Sequence, residues 1–222
     1  MKRFVNKRDR FPLWGILFTV ILFSAVGCLP QKRGTNDAAD LIADGDEALT
    51  SQDWGKAIDC YSQALEKDPK NVAACYGRSG AHLAKGKEFY LLTEAAAGQQ
   101  EFDKARETAV KADEEFAAAS ADARGILEIE TDNADAHYIL GCIAVYQADW
   151  NGAVESFSEV IRLRPDDPAA YQRRGEVYGH MNDSDNESAD LKRAAELGYS
   201  SEFIEEVSES DEDEAVDEPT TD

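Results

Sequence analysis

An all-α chain of stacked helix hairpins is the fold this sequence predicts, and three observations predict it. First, "SQDWGKAIDCYSQALEKDPKN" at 51–71 has a near-copy, "QADWNGAVESFSEVIRLRPDD" at 147–167, so a unit repeats. Second, Ala57, Tyr61, Ala64 and Leu65 in one copy, and Ala153, Phe157, Val160 and Ile161 in the other, recur at i, i+4, i+7 and i+8. That spacing puts them on one face of a helix. Third, Pro69 and Pro165 close the two runs, because proline cannot continue a helix and pushes the residue before it towards extended backbone.

A second stripe precedes each copy. "DLIADGDEALTSQ" sets Leu41, Gly45 and Ala48 on one face, and "DAHYILGCIAVYQ" sets His137, Leu140, Gly141 and Ala144 on another. Gly45 stands twelve residues before Ala57, and Gly141 twelve before Ala153. Small residues facing each other let antiparallel helices approach closely, so each unit reads as a hairpin of about 34 residues. These positions resemble the tetratricopeptide repeat. Residues 38–71 carry Leu41, Gly45, Ala48, Ala57, Tyr61, Ala64 and Pro69 at that family's signature spacings. Residues 134–167 carry Leu140, Gly141, Ala144, Ala153, Phe157 and Pro165, and residues 168–200 carry Tyr171, Gly175, Tyr178, Leu191 and Ala194. In the last unit Glu187 replaces the expected small residue, and "SDNE" reads as a capping box from Ser184 to Glu187. A degenerate last unit suits a terminal cap, and Phe203, Ile204 and Val207 suggest a further short cap helix within 201–222.

The stretch 72–133 is irregular. It has 62 residues, six short of two full units. "NVAACYGRSGAHLAKG" resembles another first helix, with Arg78, Ser79 and His82 at signature places. Beyond it, Phe102, Ala105, Ala109, Ala112, Phe116, Ala119, Ala123 and Ile126 follow a seven-residue period. No Gly or Pro interrupts Gln99 to Arg124. This predicts one elongated helix over 99–129, about 45 Å long, entered through a break near Gly98. The alternative is two ordinary helices that turn near Asp113 to Glu115.

Both chain ends differ from the array. "MKRFVNKRDR" is basic, and the uncharged run "FPLWGILFTVILFSAVG" leads into Cys28. Basic, apolar and small-residue segments in that order make an export signal over 1–27. "SAVGC" resembles a bacterial lipobox, which implies lipidation of Cys28 by a palmitate-type acyl group, although Ala25 stands where leucine is commonest. The competing reading is an uncleaved anchor, since Phe11 to Pro30 is long enough to span a bilayer. Both place the chain from about 30 onward outside the cytoplasm, after a linker at 28–37. Leu29, in the place where the lipoprotein family's inner-membrane retention signal is Asp, favours an outer membrane in cells that have one. At the other end, 201–222 holds eleven acids and no Lys or Arg. Such composition predicts an acidic disordered tail.

The net charge of −22 argues against nucleic-acid partners. No enzyme signature is present. "GRSG" lacks the spacing of a nucleophile elbow, and the histidines His82, His137 and His180 are far apart. "DSDNES" lacks the glycine and the final acid of a calcium loop. No metal site and no cofactor are expected. Cys60 and Cys75 flank the Pro69 turn, where a disulfide and a pair of small core residues are both conceivable.

The resemblance implies a right-handed superhelix whose concave groove, lined by first helices, binds a protein or peptide. Carried onto this chain, the groove positions are Ile42, Asp46, Tyr76, Gly80, Tyr138, Cys142, Gln172 and Glu176, with Tyr146 and His180 one turn further. The Lys, Arg and Asn of a carboxylate-gripping clamp are absent from those positions. The groove therefore reads as aromatic and mildly acidic, suited to a basic and apolar partner. The packing positions are Gly45, Ala57, Tyr61, Gly141, Ala153, Phe157 and Gly175. Two functions follow from different classes. One is an envelope interaction scaffold. The other is a solute-binding lipoprotein with a pocket beside the middle helices, near Phe89 and Tyr90.

Overall fold

Aspartate and asparagine open nearly every helix in this chain. The structure, a computed structural model, describes residues 37–199. The export signal, Cys28, almost all of the linker, the cap helix and the acidic tail lie outside the described residues. The helices are α1 (Ala38–Thr50), α2 (Trp54–Lys67), α3 (Val72–Gly98), α4 (Phe102–Ile129), α5 (Ala134–Tyr146), α6 (Trp150–Leu163), α7 (Pro168–His180) and α8 (Ser184–Glu196). Asp37, Asn71, Asn133 and Asp167 accept the first free N–H groups of α1, α3, α5 and α7. Asp53, Asp149 and Asp183 do the same for α2, α6 and α8. Each such cap is worth about 1 kcal/mol. Asp183, rather than Ser184, therefore caps the last helix, and the expected Ser184–Glu187 box does not form. The turn before α8 repeats the one before Asp53 and Asp149, and this places the aspartate at the cap.

The turn within each hairpin is the same structure four times. Gln52, Gln100, Ala148 and Asn182 all adopt positive φ, from 54° to 62°. The next residue's N–H then bonds back over the turn, as from Asp149 to Ala144 O at 2.9 Å and from Glu101 to Ala96 O at 2.9 Å. Consecutive hairpins stack through α2–α3, α4–α5 and α6–α7, and the first helices also meet directly, α1 with α3 and α3 with α5.

The second hairpin differs in length. α3 has 27 residues and α4 has 28, against 13 and 14 in α1 and α2. The long helix expected over 99–129 is therefore present as α4, but its partner is equally long, which the sequence reading did not foresee. The interval between the near-copies is two units plus an insertion, not three units less six residues. Two internal matches measure the insertion. Arg78 and Arg174 correspond at an offset of 96, while Ser120–Ala121–Asp122 and Ser188–Ala189–Asp190 correspond at 68. The offsets differ by 28 residues, divided as 14 on each arm. Fourteen residues make about four helical turns, so the faces of both helices keep their direction.

Rings set on glycines hold three of the four hairpins together. Tyr61 is fully buried between α1 and α3, and a Cβ on Gly45 would stand 2.8 Å from its ring; on Gly77 it would be closer still. Its hydroxyl donates to Asp46 Oδ1 at 2.6 Å, so the buried phenol is satisfied. Phe157 meets Gly141 in the same way, again at 2.8 Å. In the long hairpin Ser79 takes the glycine's place and donates to Ala119 O at 2.8 Å. The ring reappears one heptad up each arm, as Phe116 on Gly86. Gly175 packs less tightly on Leu191, at 3.2 Å. Beyond Phe116 the partly buried Phe89 and Tyr90 pack on the same cluster, and the seam then narrows to Ala96, Ala112 and a Thr93–Thr108 hydroxyl bond of 2.8 Å.

Two glycine substitutions separate close approach from helix propensity. Gly141→Ala should lower stability by about 1–3 kcal/mol, because the Phe157 ring must shift. Gly80→Ala, where a Cβ meets nothing within 4 Å, should raise it by about 0.5–1 kcal/mol. Urea melts read both, and equal effects would refute the ring-on-glycine account.

Candidate protein-docking groove

Side-by-side first helices make the inner face of the array, as stacked hairpins require. Tyr76 is the most open of its tyrosines, at 44% exposed. Tyr138 is half-buried and meets Phe157 edge-on, with centroids 5.6 Å apart. Tyr146 stacks on Phe116 at 5.2 Å and meets Tyr90 edge-on at 5.4 Å, tying α5 to the long hairpin. Gln172 donates to Glu176 at 2.9 Å, and Glu176 also pairs with Arg173 at 3.1 Å. His180 stacks flat on Trp150 at 4.6 Å. Asp46, although exposed, is occupied as the acceptor for Tyr61.

The structure thus brings Tyr138, Cys142, Gln172 and Glu176 together, with Tyr76 beside Cys142. It adds two cations that the position-by-position reading omitted, Lys87 and Arg173. Arg173 is one residue from Gln172 along α7. Lys87 lies seven residues beyond Gly80, on the same stripe of α3, once that helix is known to continue. The face is therefore aromatic with mixed charge, not aromatic and acidic. Burial pushes the Cys142 thiol up to about 11. Burial likewise raises the Tyr138 and Tyr146 hydroxyls to about 12. Burial also raises Glu176, with Arg173 opposing. It works against the charge on Arg173, but Glu176 and Tyr138 outweigh it and the guanidinium holds its proton more firmly.

Two Arg–Asp–Ser clamps, unforeseen from the sequence, lock hairpins to their predecessors. Arg78 grips Asp122 through Nε and Nη2 at 2.8 and 2.6 Å and reaches Ser62 Oγ at 3.2 Å. Arg174 grips Asp190 at 2.8 and 2.9 Å and reaches Ser158 Oγ at 3.0 Å. Arg174 also lies over Tyr171 and Tyr178, 5.9 Å from each centroid. The repeated Ser-Ala-Asp triplet and the paired arginines were the signal that could have found them. At the root of the extension, Glu115 accepts from His82 at 2.6 Å and from Lys85 at 2.7 Å.

Cys60 and Cys75 are buried free thiols, both raised first by burial. Among the described residues no His, Cys, Asp and Glu cluster could hold a metal ion, and no helix is long and apolar enough to cross a membrane. Two open dimples lie on the outside of α4, one along Asp103 to Glu114 and one at Gln100 to Lys104.

Hairpins joined by one repeated turn, with an open inner face, define a solenoid of the protein-interaction type. The sequence profile of the tetratricopeptide repeat matches residues 42–88 and 138–198, and the chain belongs to that family. The match breaks where the inserted arms project. MamA from Desulfovibrio magneticus RS-1, residues 41 to its end, superposes with a TM-score of 0.57 at 15% identity, covering 73% of this chain and 76% of its own. The first tetratricopeptide domain of human RPAP3 gives 0.52 at 17% identity, covering 69% and 98%. At such identities the likeness establishes the fold. No curated protein matches the chain in sequence.

Two measurements test the internal contacts. Asp190→Ala should cost about 2–4 kcal/mol in urea unfolding, because it strands a partly buried guanidinium. A loss no larger than at exposed Asp113 would refute the clamp. Glu115 has a pKa below its usual range: burial raises it, but Lys85 and His82 outweigh burial. A depressed carboxylate contributes stability above its unfolded value and loses it as pH falls through the folded one. The destabilisation by Glu115→Gln should therefore be present at pH 7 and fade below about pH 4. A penalty independent of pH would mean that only packing was lost.

Proposed function

We propose that this chain is a membrane-tethered, extracytoplasmic scaffold that holds a partner protein or peptide in its inner groove as part of an envelope assembly. The observation that carries the docking role is the open face of first helices, with Tyr76, Tyr138 and Tyr146 set round a mixed-charge centre. Tyrosines there offer large contact area with a polar handle at low entropic cost. The family is one of protein-interaction scaffolds, which supports the same reading. Tethering rests on "SAVGC" and the apolar run before it. The depressions along α4 are open rather than enclosed, which favours docking over solute binding.

Cys28→Ser separates tethering from docking. The variant should leave the membrane fraction or accumulate as an uncut precursor. Normal processing with full membrane retention would overturn lipidation at Cys28. Docking is read by crosslinking from native membranes: Tyr76→Ala should weaken partner capture at least about fivefold while the thermal melt is kept. Unchanged capture would place the interface elsewhere.

A further inference from the structure

Lys87 stands apart from every other cation in the array. Among the described residues it is the one Lys or Arg that is not exposed and has no carboxylate in ion-pair range. The other unpaired cations, Lys56, Lys67, Lys70, Arg106, Arg124 and Lys192, are all exposed. Water solvates those at no cost, whereas a partly buried ammonium without a counter-ion is destabilising. Burial, and then Arg173, both push the Lys87 pKa down.

Its position is equally distinct. Lys87 lies in the arm that the insertion adds to α3, on the stripe that continues Tyr76 and Gly80. α3 packs against α5 here, and the charge of Lys87 is felt by Cys142 of α5 and opposed by Arg173 of α7. Tyr138 and Tyr146 flank the same place. Arg173 is paired with Glu176, which leaves the charge of Lys87 itself without a counter-ion, within a chain of net charge −22. Long-range repulsion disfavours polyacidic ligands, this chain's own eleven-acid tail included. Over the Debye length of about 8 Å, by contrast, the nearest cations decide.

We propose that Lys87 is the specificity anchor of the groove, receiving the side-chain carboxylate of a single Asp or Glu in a partner peptide. That peptide is otherwise neutral or basic and lays an aromatic or aliphatic residue beside the acid, against Tyr138 and Tyr146. This assignment rests on the groove being the docking surface. The bound carboxylate supplies the counter-ion that the folded chain leaves out, so affinity and selectivity for the acid come from one contact.

The test uses the full chain in detergent and a phage-displayed library of random 12-residue peptides. Wild-type protein should enrich peptides with one acid next to an aromatic or aliphatic residue. Lys87→Glu should enrich a basic residue in that place. For a selected peptide, Lys87→Gln should weaken binding about tenfold, and the peptide's own Glu→Gln analogue should bind both proteins alike. Selected peptides without an acid, or an equal effect of Lys87→Gln on both peptides, would overturn the anchor. Lys87→Met keeps the stem and should hold or raise the melting temperature; a clear fall would show a packing role and also overturn it. Tyr76→Ala separates the two levels. Binding sensitive to Tyr76 but not to Lys87 refutes only the anchor, and binding sensitive to neither refutes the groove.

Discussion

Close approach of paired helices, with an aromatic ring lying on a glycine, is the constraint from which the rest of this molecule follows. Tyr61 fills the space left by Gly45 and Gly77 at once, so a single ring joins one hairpin to the next. Dispersion contacts of this kind are individually small and collectively large, and they are lost steeply with distance. A helix pair held this closely has one rotation about its axes at which ring meets glycine. Length can change only by amounts that restore that rotation. The insertion obeys this rule. It adds equal arms of about four turns, and the turn at Gln100 repeats the geometry of its shorter counterparts.

The long hairpin also shows how the packing solution can be moved along a helix pair. Opposite Ser79 the ring is missing and Ala123 stands in its place, so the base of the hairpin closes through a hydroxyl-to-carbonyl bond. Phe116 on Gly86 supplies the ring one heptad higher, and Tyr146 stacks on its other side. Charge then fixes the root, through Arg78 on Asp122 and Glu115 between His82 and Lys85. Past that point Phe89 and Tyr90 pack on the Ala112–Phe116 cluster, then only Ala and Thr fill the seam, while Leu91, Leu92, Phe102 and Val110 face outward. The arms gain little from burial there, and the root carries their orientation.

Sequence reasoning reached the ordinary hairpins because their signals are local: an aromatic four residues after an alanine, a glycine twelve before it, a proline at the end. It missed the length of α3 for a physical reason. Gly77, Gly80 and Gly86 look like helix breakers, yet Gly77 and Gly86 are there to admit rings from other helices. Propensity yields to tertiary packing at such positions. The places of Tyr76, Tyr138 and Tyr146 on first helices were legible from repeat position alone. Lys87 was not, because its place on the inner face exists only if α3 runs on. Arg173 was missed because it sits beside a groove position, and its guanidinium reaches Glu176 one turn away. The clamps were legible in principle, since Arg78 recurs as Arg174 and Ser120–Ala121–Asp122 recurs as Ser188–Ala189–Asp190. Recognising them required comparing two offsets rather than one.

Those two offsets also show how the array is divided. Residues 38–133 and 134–199 correspond hairpin for hairpin, down to the arginine clamp of each second member, and the insertion is what separates them. One half is the plain solenoid and the other carries the arms. The growth lifts new side chains onto the inner face at heptad steps, and Lys87 is the first charged one to arrive without a partner. A fold whose stability resides in ring-on-glycine contacts tolerates that cost locally, because no knob or clamp depends on Lys87. Burial of an uncompensated charge is thus confined to the inner side of the α3 arm where it packs on α5, and a ligand carboxylate can relieve it there.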